Sequence, residues 1–490
     1  MQRRTFLQGM LLAGAGGFSL KALAGTMPLA PAGMALLNPA LLPSGADLQA
    51  LPRLANQSTE AGMFRATLTA APVSVPLLKT GPTEFWAYNN TLPGPLIEVR
   101  EGDTVEITLI NRLSQPTTIH WHGLPVAPEQ DGNPQQPVLP GQQHTYRFTL
   151  PVGSAGTYWY HPHPHEVTAE QAFRGLAGGF IVLAKDDPLA GIPERHLILS
   201  DLKLDQSGFI ALNDSNDWMN GREGQFVLVN AQQRPNLRFA AQGRERWRVW
   251  NACSARYLRL QLPGSQFTLV GTDGGLIEKP VQGLNEYLLA PGQRAELVVD
   301  AGRRHDTATL TGAIYDRGKM GKVAPEQAIA ILNVDFSAVA NSELAALPAQ
   351  LTTIADLGTP VARKQVVFSE QMTMDNGQHG MQFLVNGRQY DMNRIDLTSR
   401  VNEVELWEIV NQSDMDHPFH LHGTQFQVQS REIDGVITPE PFKAWRDTVN
   451  LRSGETVRIK TVQHWPGIRM FHCHILEHEA AGMMGQLKVI

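Results

Sequence analysis

One strand pattern recurs three times along the chain and constrains its fold more than any other feature. The segments Thr104–Asn111, Arg246–Asn251 and Glu405–Asn411 alternate polar and apolar residues and end in asparagine. Alternation with a period of two predicts half-buried β-strands. The terminal asparagines lie 140 and 160 residues apart, so the repeating unit is a whole domain rather than a short solenoid unit. The pattern therefore predicts an all-β chain of three consecutive β-sandwich domains.

Composition supports this fold class and limits the partners. The 490 residues include 44 Gly and 32 Pro, and short apolar runs interrupted by them favour strands over helices. We place the domains at residues 50–186, 190–338 and 353–490, with 341–352 as a linker and 25–49 as a poorly ordered segment. The formal charge is −6 and the chain has no Lys/Arg stripe, so we expect no nucleic-acid partner. We expect a monomer.

The N-terminal segment has the features of an export signal. Arg3 and Arg4 precede an apolar stretch at 10–20, and Ala22–Ala24 offers a small-residue cleavage site. We predict a signal peptide at 1–24 that uses the twin-arginine pathway and places the protein in the periplasm. An uncleaved anchor is the alternative, but the apolar stretch is shorter than the ~20 residues of a membrane span. No later run is long and apolar enough to span, so we expect no membrane contact after cleavage.

Ten of the 16 histidines fall into four short clusters. Histidines two positions apart on a strand project from the same face, so each His-x-His pair presents two imidazoles side by side. Imidazole is a ligand for copper, zinc, iron and nickel. Four pairs supply eight ring nitrogens, enough for three metal ions, and they must converge at the interface of the first and third domains. The pairs are His120 and His122, His161 and His163, His420 and His422, and His472 and His474.

A second site is predicted around the cysteine of the last cluster. Cys473 lies between His472 and His474, so on a strand it points away from both. One thiolate, two imidazoles and a weak axial thioether make a blue-copper electron-transfer site. These ligands are Cys473, His417, His478 and Met483. Because Cys473 is joined through the backbone to two members of the histidine cluster, electrons need cross only a few bonds.

Zinc is the chemical alternative to copper, since it also accepts Cys and His. A zinc protein has no need of ten histidines, an axial methionine and a cysteine between two ligands, so copper is favoured. The other cysteine, Cys253, is expected to be a small buried hydrophobe. A disulfide between Cys253 and Cys473 is the alternative for an exported protein.

Four sequence motifs carry a family resemblance. They are His-Trp-His-Gly at 120–123, Trp-Tyr-His-Pro-His at 159–163, His-Pro-Phe-His-Leu-His-Gly at 417–423, and His-Cys-His-Ile-Leu-Glu-His at 472–478 followed by Gly482-Met483. With them the chain resembles the three-domain multicopper oxidases, a group that includes laccases and bacterial cuprous oxidases. The resemblance extends over essentially all of the mature chain. It implies three cupredoxin-like Greek-key β-sandwich domains, four copper ions, and substrate oxidation coupled to reduction of O2 to water.

The resemblance also implies roles for single residues. Asp131 and Glu479 are candidate proton donors, since O2 reduction in a buried site needs carboxylates on a path from solvent. The alternative for Asp131, which precedes Gly132, is a turn residue. The implied type 1 copper ligands are His417, Cys473, His478 and the axial Met483. The implied type 2 ligands are His120 and His420, and the type 3 pair is held by His122, His161, His163, His422, His472 and His474.

Within the family the chain is most similar to exported cuprous oxidases of bacterial copper-efflux systems. Leu92-Pro93-Gly94-Pro95, Asp273-Gly274-Gly275-Leu276 and Glu477-His478-Glu479 carry this similarity, but the long Met/His-rich insertion common in those enzymes is short here. Soft thioethers favour Cu(I), so a small substrate-copper site is a hypothesis. The alternative is that its members are ordinary surface and core residues. They are Met372, Met374, Asp375, Met415 and Asp416.

The sequence therefore predicts an oxidase of Cu(I) that serves copper tolerance, with the electron donor docking beside His417 or His478. A laccase-like oxidase of phenols or aromatic amines is the first alternative, because a short insertion leaves room for them. A copper-free structural member of the family is the alternative from another class. It is disfavoured because every ligand position is filled.

Overall fold

The computed structural model describes residue 30 and residues 34–79, 81–340, 344–375 and 378–490. The predicted signal peptide at 1–24 lies outside these residues. The described strands form six sheets, arranged as three pairs that each enclose a hydrophobic core. No described helix is both long and apolar enough to cross a membrane. The predicted all-β fold class is confirmed.

The first domain contains seven strands, which form one pair of sheets, and one short helix. They are β1 (Met63–Leu78), β2 (Gly81–Tyr88), β3 (Gly94–Arg100), β4 (Thr104–Asn111), β5 (Gln143–Thr149), β6 (Gly156–Tyr160), helix α1 (Thr168–Phe173) and β7 (Gly178–Leu183). The sheet orders are β2-β1-β4-β5 and β3-β7-β6. Buried residues of both sheets form one core.

The second domain contains twelve strands, which form the second pair of sheets, and one short helix. They are β8 (Glu194–Leu202), helix α2 (Ser215–Asn220), β9 (Phe226–Val229), β10 (Gln232–Gln233), β11 (Asn236–Arg238), β12 (Arg244–Asn251), β13 (Leu258–Gln261), β14 (Phe267–Thr272), β15 (Gly275–Leu284), β16 (Tyr287–Leu289), β17 (Arg294–Asp300), β18 (Thr307–Ala313) and β19 (Ile329–Asp335). The sheet orders are β10-β9-β8-β12-β17-β14-β15 and β11-β19-β18-β13-β16.

The third domain contains eleven strands, which form the third pair of sheets, and one short helix. They are β20 (Ala362–Asp375), β21 (Gln378–Val385), β22 (Leu397–Ser399), β23 (Val404–Asn411), β24 (His417–Leu421), β25 (Phe426–Ile433), β26 (Val436–Pro439), β27 (Thr448–Leu451), β28 (Thr456–Val462), β29 (Gly467–Cys473), helix α3 (Leu476–Ala480) and β30 (Met484–Val489). The sheet orders are β21-β20-β23-β28-β25-β26 and β22-β30-β29-β24-β27.

The three domains share one topology. Strand β1 runs parallel to β4, β8 to β12, and β20 to β23. The second sheet of each domain also contains one parallel pair, which joins β3 to β7, β11 to β19, and β22 to β30. Each parallel pairing requires the chain to cross from one sheet to the other and back, as in a Greek key. The sheet pairs lie within residues 50–186, 190–338 and 353–490, whose limits stay predictions.

The three short helices meet where the domains join. Ala169 of α1, Trp218 of α2 and both Leu476 and Ala480 of α3 form one buried apolar cluster. Helix α3 follows β29 directly and carries His478. This contact therefore fixes the end of the last histidine motif against both other domains.

Candidate metal centre

Strand pairing places the histidine pairs side by side. His120 and His161 form an antiparallel bridge in the first domain. In the third domain β24 and β29 pair so that His420 lies opposite His472. All eight imidazoles of the four pairs are fully buried. The spacing of two residues therefore acts as predicted and aims each pair at a common centre.

The imidazoles converge across the interface of the first and third domains. His120 Nε2 lies 3.2 Å from His420 Nε2, in a contact between residues 300 positions apart. His163 Nε2 lies 3.2 Å from His472 Nε2, across 309 positions. The second domain supplies no histidine to this cluster among its described residues. The expected position of the cluster matches its observed geometry.

The state of these imidazoles fits a bound metal. Burial lowers the pKa of His472 to about 3 and lowers the pKa of His422 and His474 well below the ordinary value. Neutral imidazole is the form that binds metals. Both ring nitrogens of His474 are buried without a hydrogen-bond partner. Such atoms are costly, and coordination to a metal ion removes that cost.

A second cluster lies on the other face of β29. His417 Nδ1 is 3.3 Å from Cys473 Sγ and 3.4 Å from His478 Nδ1. Met483 is tied to both neighbours, since its carbonyl accepts from the Cys473 N–H at 3.0 Å and its N–H donates to the His478 carbonyl at 2.9 Å. Burial raises the pKa of the Cys473 thiol, so a thiolate forms here only beside a cation. The donor set of sulfur and nitrogen fits copper.

Comparison with known proteins decides the family. Multicopper oxidase family models match residues 70–187, 156–335 and 363–490. A multicopper oxidase mco of Staphylococcus aureus is 36% identical over 428 residues, which cover 84% of this chain and 86% of the relative. The chain belongs to the multicopper oxidase family. It is an oxidoreductase with copper cofactors that reacts with O2 and a reducing substrate.

Two further relatives of this multicopper oxidase carry more specific names. A structure described as a multicopper oxidase from Campylobacter jejuni, a metallo-oxidase, superposes with a TM-score of 0.90 at 44% identity and covers 94% of this chain and 99% of that chain. A laccase of Bacillus subtilis is 26% identical and covers 83% of this chain and 90% of the relative. The relatives thus include one named a metallo-oxidase and one named a laccase.

Asp131 contacts histidines of two domains of the oxidase. Its Oδ1 lies 3.0 Å from His120 Nδ1, and its Oδ2 lies 3.3 Å from His422 Nδ1. All three side chains are fully buried. A carboxylate on the second ring nitrogen fixes the tautomer and orientation of a metal-binding imidazole. The alternative of a plain turn residue therefore does not account for Asp131.

A second carboxylate, Asp447, was not singled out in the sequence. Its Oδ1 lies 2.9 Å from His122 Nε2, and its backbone carbonyl lies 2.9 Å from His420 Nδ1. Arg294 of the second domain donates to Asp447 Oδ1 at 2.8 Å. Asp447 lies outside the four histidine motifs and carries no spacing signal. Only the folded arrangement of the domains places it on the cluster.

Glu479 is the other predicted proton donor. It lies on α3 and is almost wholly buried. Its Oε1 lies 4.0 Å from His163 Nδ1, and neither carboxylate oxygen has a hydrogen-bond partner among the described residues. Burial raises its pKa to about 8. The carboxyl group therefore faces the cluster with its hydrogen-bonding capacity unused.

The two histidines of the sulfur-containing site do not reach the surface. His417 and His478 are both 0% exposed. Glu370 Oε1 lies 2.9 Å from His417 Nε2, and Phe383 stacks on His478 with ring centroids 3.9 Å apart. A donor therefore cannot touch either ring directly, because side chains of β20 and β21 cover both, and docking next to His417 or His478 stays a prediction. Glu370, on β20, is a site residue that the motifs did not reveal.

Two members of the hypothetical substrate-copper site face inward. Met415 is fully buried in the core of the third domain, with its sulfur 2.8 Å from Arg317 Nη1. Asp416 is 5% exposed and accepts a hydrogen bond of 2.7 Å from the Tyr315 hydroxyl. Both side chains are engaged within the protein. The geometry favours the alternative of structural residues at these two positions.

The other members lie on the β20–β21 hairpin. Met372 is 52% exposed and pairs across the hairpin with Met381. The side chains of Met374 and Asp375 lie outside the described residues. No described contact joins Met372 to Met415 or Asp416. The five-residue substrate site therefore stays a prediction.

Cys253 has the environment expected for a small apolar residue. It is 1% exposed and belongs to the core of the second domain. Both cysteines are free. The alternative of a disulfide is wrong, and Cys473 keeps its sulfur for the metal site.

Proposed function

We propose that this multicopper oxidase couples four one-electron oxidations of Cu(I) to the reduction of O2 to water and serves copper tolerance. Four copper ions are expected, which together supply one-electron transfer and the four-electron reduction of O2. One would be held by His417, Cys473, His478 and Met483. Three would be held by His120, His122, His161, His163, His420, His422, His472 and His474.

The same proposal places a monomeric enzyme in the periplasm. Arg3 and Arg4, the apolar stretch at 10–20 and the small residues Ala22–Ala24 support export of the folded protein. Measuring the mature N-terminus and the cell fraction of the full-length chain tests this part. Replacing both arginines by lysine should leave the protein in the cytoplasm.

Strand β29 connects the two sites. Cys473 faces the sulfur-containing site, whereas His472 and His474 face the histidine cluster on the other side of the strand. The backbone between these three residues provides a covalent path. No side-chain rearrangement is needed to pass an electron along it.

The burial of His417 and His478 is the observation that supports Cu(I) as the substrate. With both imidazoles fully buried, an aromatic donor has no ring to stack on. Glu370 touches the outer nitrogen of His417, and its side chain is 6% exposed. A carboxylate at the edge of the site attracts a small cation and gives no comparable advantage to a neutral phenol. This arrangement favours Cu(I) as the electron donor.

Two further observations support a metal substrate. Met372 and Met381 lie opposite each other on the hairpin that also carries Glu370, and thioethers favour Cu(I). The Campylobacter jejuni relative, at 44% identity, is named a metallo-oxidase. We infer that the surface of β20 and β21 is where the cation arrives.

Two carboxylates would serve the reaction with O2. Glu479, with both oxygens free of hydrogen bonds, is placed to hold a proton beside His163. Asp131 Oδ1 contacts the Nδ1 atom of His120 and orients that ring, and Oδ2 lies 3.3 Å from His422 Nδ1 without forming a hydrogen bond. We propose that Glu479 delivers protons while Asp131 combines proton transfer with ligand orientation.

Steady-state O2 uptake of the copper-loaded enzyme tests the substrate. Cu(I) and 2,6-dimethoxyphenol are compared as electron donors, with and without added Cu(II). We expect a higher kcat/KM for Cu(I), and phenol oxidation that depends on added copper. Efficient phenol oxidation without added copper would show a laccase and overturn the proposal.

The variant Glu370→Gln separates the role of the carboxylate from that of the copper site. It should lower kcat/KM for Cu(I) about 10-fold, because one charge attraction of about 1.4 kcal/mol is lost. Blue absorption and copper content should persist. The matched control Glu286→Gln removes an exposed carboxylate of the second domain and should leave all three measurements unchanged. Equal losses for Cu(I) and phenol would contradict a cation-docking role.

A further inference from the structure

Arg469 is a buried cation that neither the histidine motifs nor the proposed function explains. It lies on β29, three residues before His472, and is 0% exposed. Its guanidinium reaches the interface with the first domain and lies 5.8 Å from the centroid of the Trp465 ring. Gly423, which follows His422, leaves the space for it, because a Cβ at Gly423 would overlap the guanidinium. The histidine motif and Arg469 therefore pack directly together.

Most of the hydrogen-bonding capacity of Arg469 is unused. Nη1 donates to the Val126 carbonyl of the first domain at 3.2 Å. Nε and Nη2 are buried and have no partner, and no described carboxylate forms an ion pair with Arg469. Nε and Nη2 lie on one edge of the guanidinium, where their N–H groups form a fork that binds two oxygens side by side. A buried cation in this state is costly unless something else accepts those hydrogen bonds.

Unpaired acceptors lie in the same interface. Asn133 donates to the Ile468 carbonyl, next to Arg469, at 3.2 Å, while its own Oδ1 is buried and unpaired. Asp131 Oδ2 is likewise buried without a hydrogen bond. Burial lowers the pKa of Arg469 to about 10, and the negative charges of Asp131 and Glu129 act in the opposite direction. The guanidinium thus stays charged at neutral pH between a buried carboxylate and an exposed one.

We propose that Arg469 anchors a chain of ordered internal water molecules that joins the histidine cluster at Asp131 to solvent near Glu129. Buried water occupies sites where protein donors and acceptors lack partners, and each molecule makes about three hydrogen bonds. The Arg469 fork supplies two donors, and Asn133 and Asp131 supply acceptors. The chain crosses the interface of the first and third domains.

The reduction of O2 requires a path for protons and for product water. Reduction of O2 to water consumes four protons and releases two water molecules inside a fully buried cluster. A chain of water can carry protons inward and product water outward along the same route. Arg469 acts as a positioning residue, since it touches neither substrate nor cluster, and its role is independent of which reductant the enzyme uses.

The test measures the two halves of the reaction separately in the copper-loaded enzyme. In Arg469→Met, stopped-flow reduction of the blue site without O2 should be unchanged, whereas reoxidation by O2 should slow about 10-fold. Steady-state kcat should fall with KM for the reductant unchanged, and the D2O solvent isotope effect on reoxidation should increase. Arg469→Lys, which keeps one charged donor, should recover part of the rate. Arg400→Met, at an exposed arginine, is the control for loss of charge.

A crystal structure of the copper-loaded wild type provides evidence that does not depend on any variant. Ordered water within hydrogen-bond distance of Arg469 Nε and Nη2, continued to Asp131 Oδ2, is the expected result. A direct ion pair between Arg469 and a carboxylate would overturn the proposal. So would an unchanged rate of reoxidation in Arg469→Met. If Arg469→Met does not fold, Asn133→Leu removes an acceptor of the same chain and should slow reoxidation in the same way.

Discussion

At the scale of single residues, the cluster depends on side chains that bind the outer nitrogens of its ligands. Asp131 Oδ1 lies 3.0 Å from His120 Nδ1 of the first domain, and its Oδ2 lies 3.3 Å from His422 Nδ1 of the third. Asp447 contacts His122 and, through its carbonyl, His420. Each imidazole so held presents its remaining lone pair in a fixed direction. Asp131 and Asp447 therefore fix the orientation of three of the eight imidazoles by hydrogen bonds.

Replacing Asp131 by Asn should weaken copper binding at the cluster. The amide Oδ1 can still accept from His120, but an uncharged Nδ2 donor would replace the carboxylate oxygen that lies 3.3 Å from His422 Nδ1. Loss of such a contact lowers metal affinity about 10–100-fold. Chelator competition with copper analysis measures this, and the exposed Asp186→Asn serves as the control. Unchanged affinity together with slow O2 reduction would assign Asp131 to proton transfer alone.

At the scale of elements, three strands end in the same way. Asn111 of β4 accepts from the Leu113 N–H and donates to the carbonyls of Gln115 and Val138. In β12, Asn251 accepts from Cys253 and donates to Arg256 and Leu289. In β23, Asn411 accepts from Ser413 and donates to Met415 and Leu451. One asparagine thus closes the loop after the central strand in every domain, and in two of them that loop leads into a histidine motif.

The variant Asn411→Ala should affect both stability and the sulfur-containing site. Buried carbonyls that lose their donor cost about 1–3 kcal/mol, and the Met415 carbonyl lies two residues before His417. We therefore expect a lower free energy of unfolding and weaker blue absorption. The matched variant Asn251→Ala should destabilise the protein by a similar amount with blue absorption retained. Denaturant unfolding and visible spectra of the two variants make the comparison.

The sequence predicted what local spacing controls. Period-two alternation predicted the three strands that end in asparagine. The spacing of the His-x-His pairs and of Cys473 predicted the two clusters and their positions on opposite faces of β29. It could not predict Glu370, Asp447 or the covering of His417 and His478, because these contacts depend on how distant strands and whole domains pack. The inward orientation of Met415 towards Arg317 has the same origin. Proximity in sequence to a ligand suggested a role that three-dimensional packing does not support.

At the scale of the whole molecule, the second domain contacts both domains that carry the histidine cluster. It contributes no histidine to the described cluster, yet its Arg294 holds Asp447 of the third domain and donates to the Thr157 carbonyl of the first. Its helix α2 packs against α3 of the third domain through Trp218. The domain without ligands therefore fixes the relative position of the two domains that have them.

Removal of copper should lower the melting temperature of the whole enzyme. Metal bound only by the folded state stabilises it by about 4 kcal/mol when its activity is a thousand times Kd, and here the residues that would hold the metal come from two domains. Differential scanning calorimetry before and after chelation measures the shift. Readdition of copper should restore the original transition, and a melting temperature that does not respond to chelation would contradict a cluster at the domain interface.

The contact between His163 and His472 also has a consequence for biosynthesis. Because these partners lie 309 positions apart, a nascent chain that has left the ribosome only as far as its second domain carries half of the ligands of the cluster. Neither half can enclose the metal by itself. Loading must therefore follow translation and domain docking, and an unfinished chain has no complete centre with which to generate damaging redox chemistry.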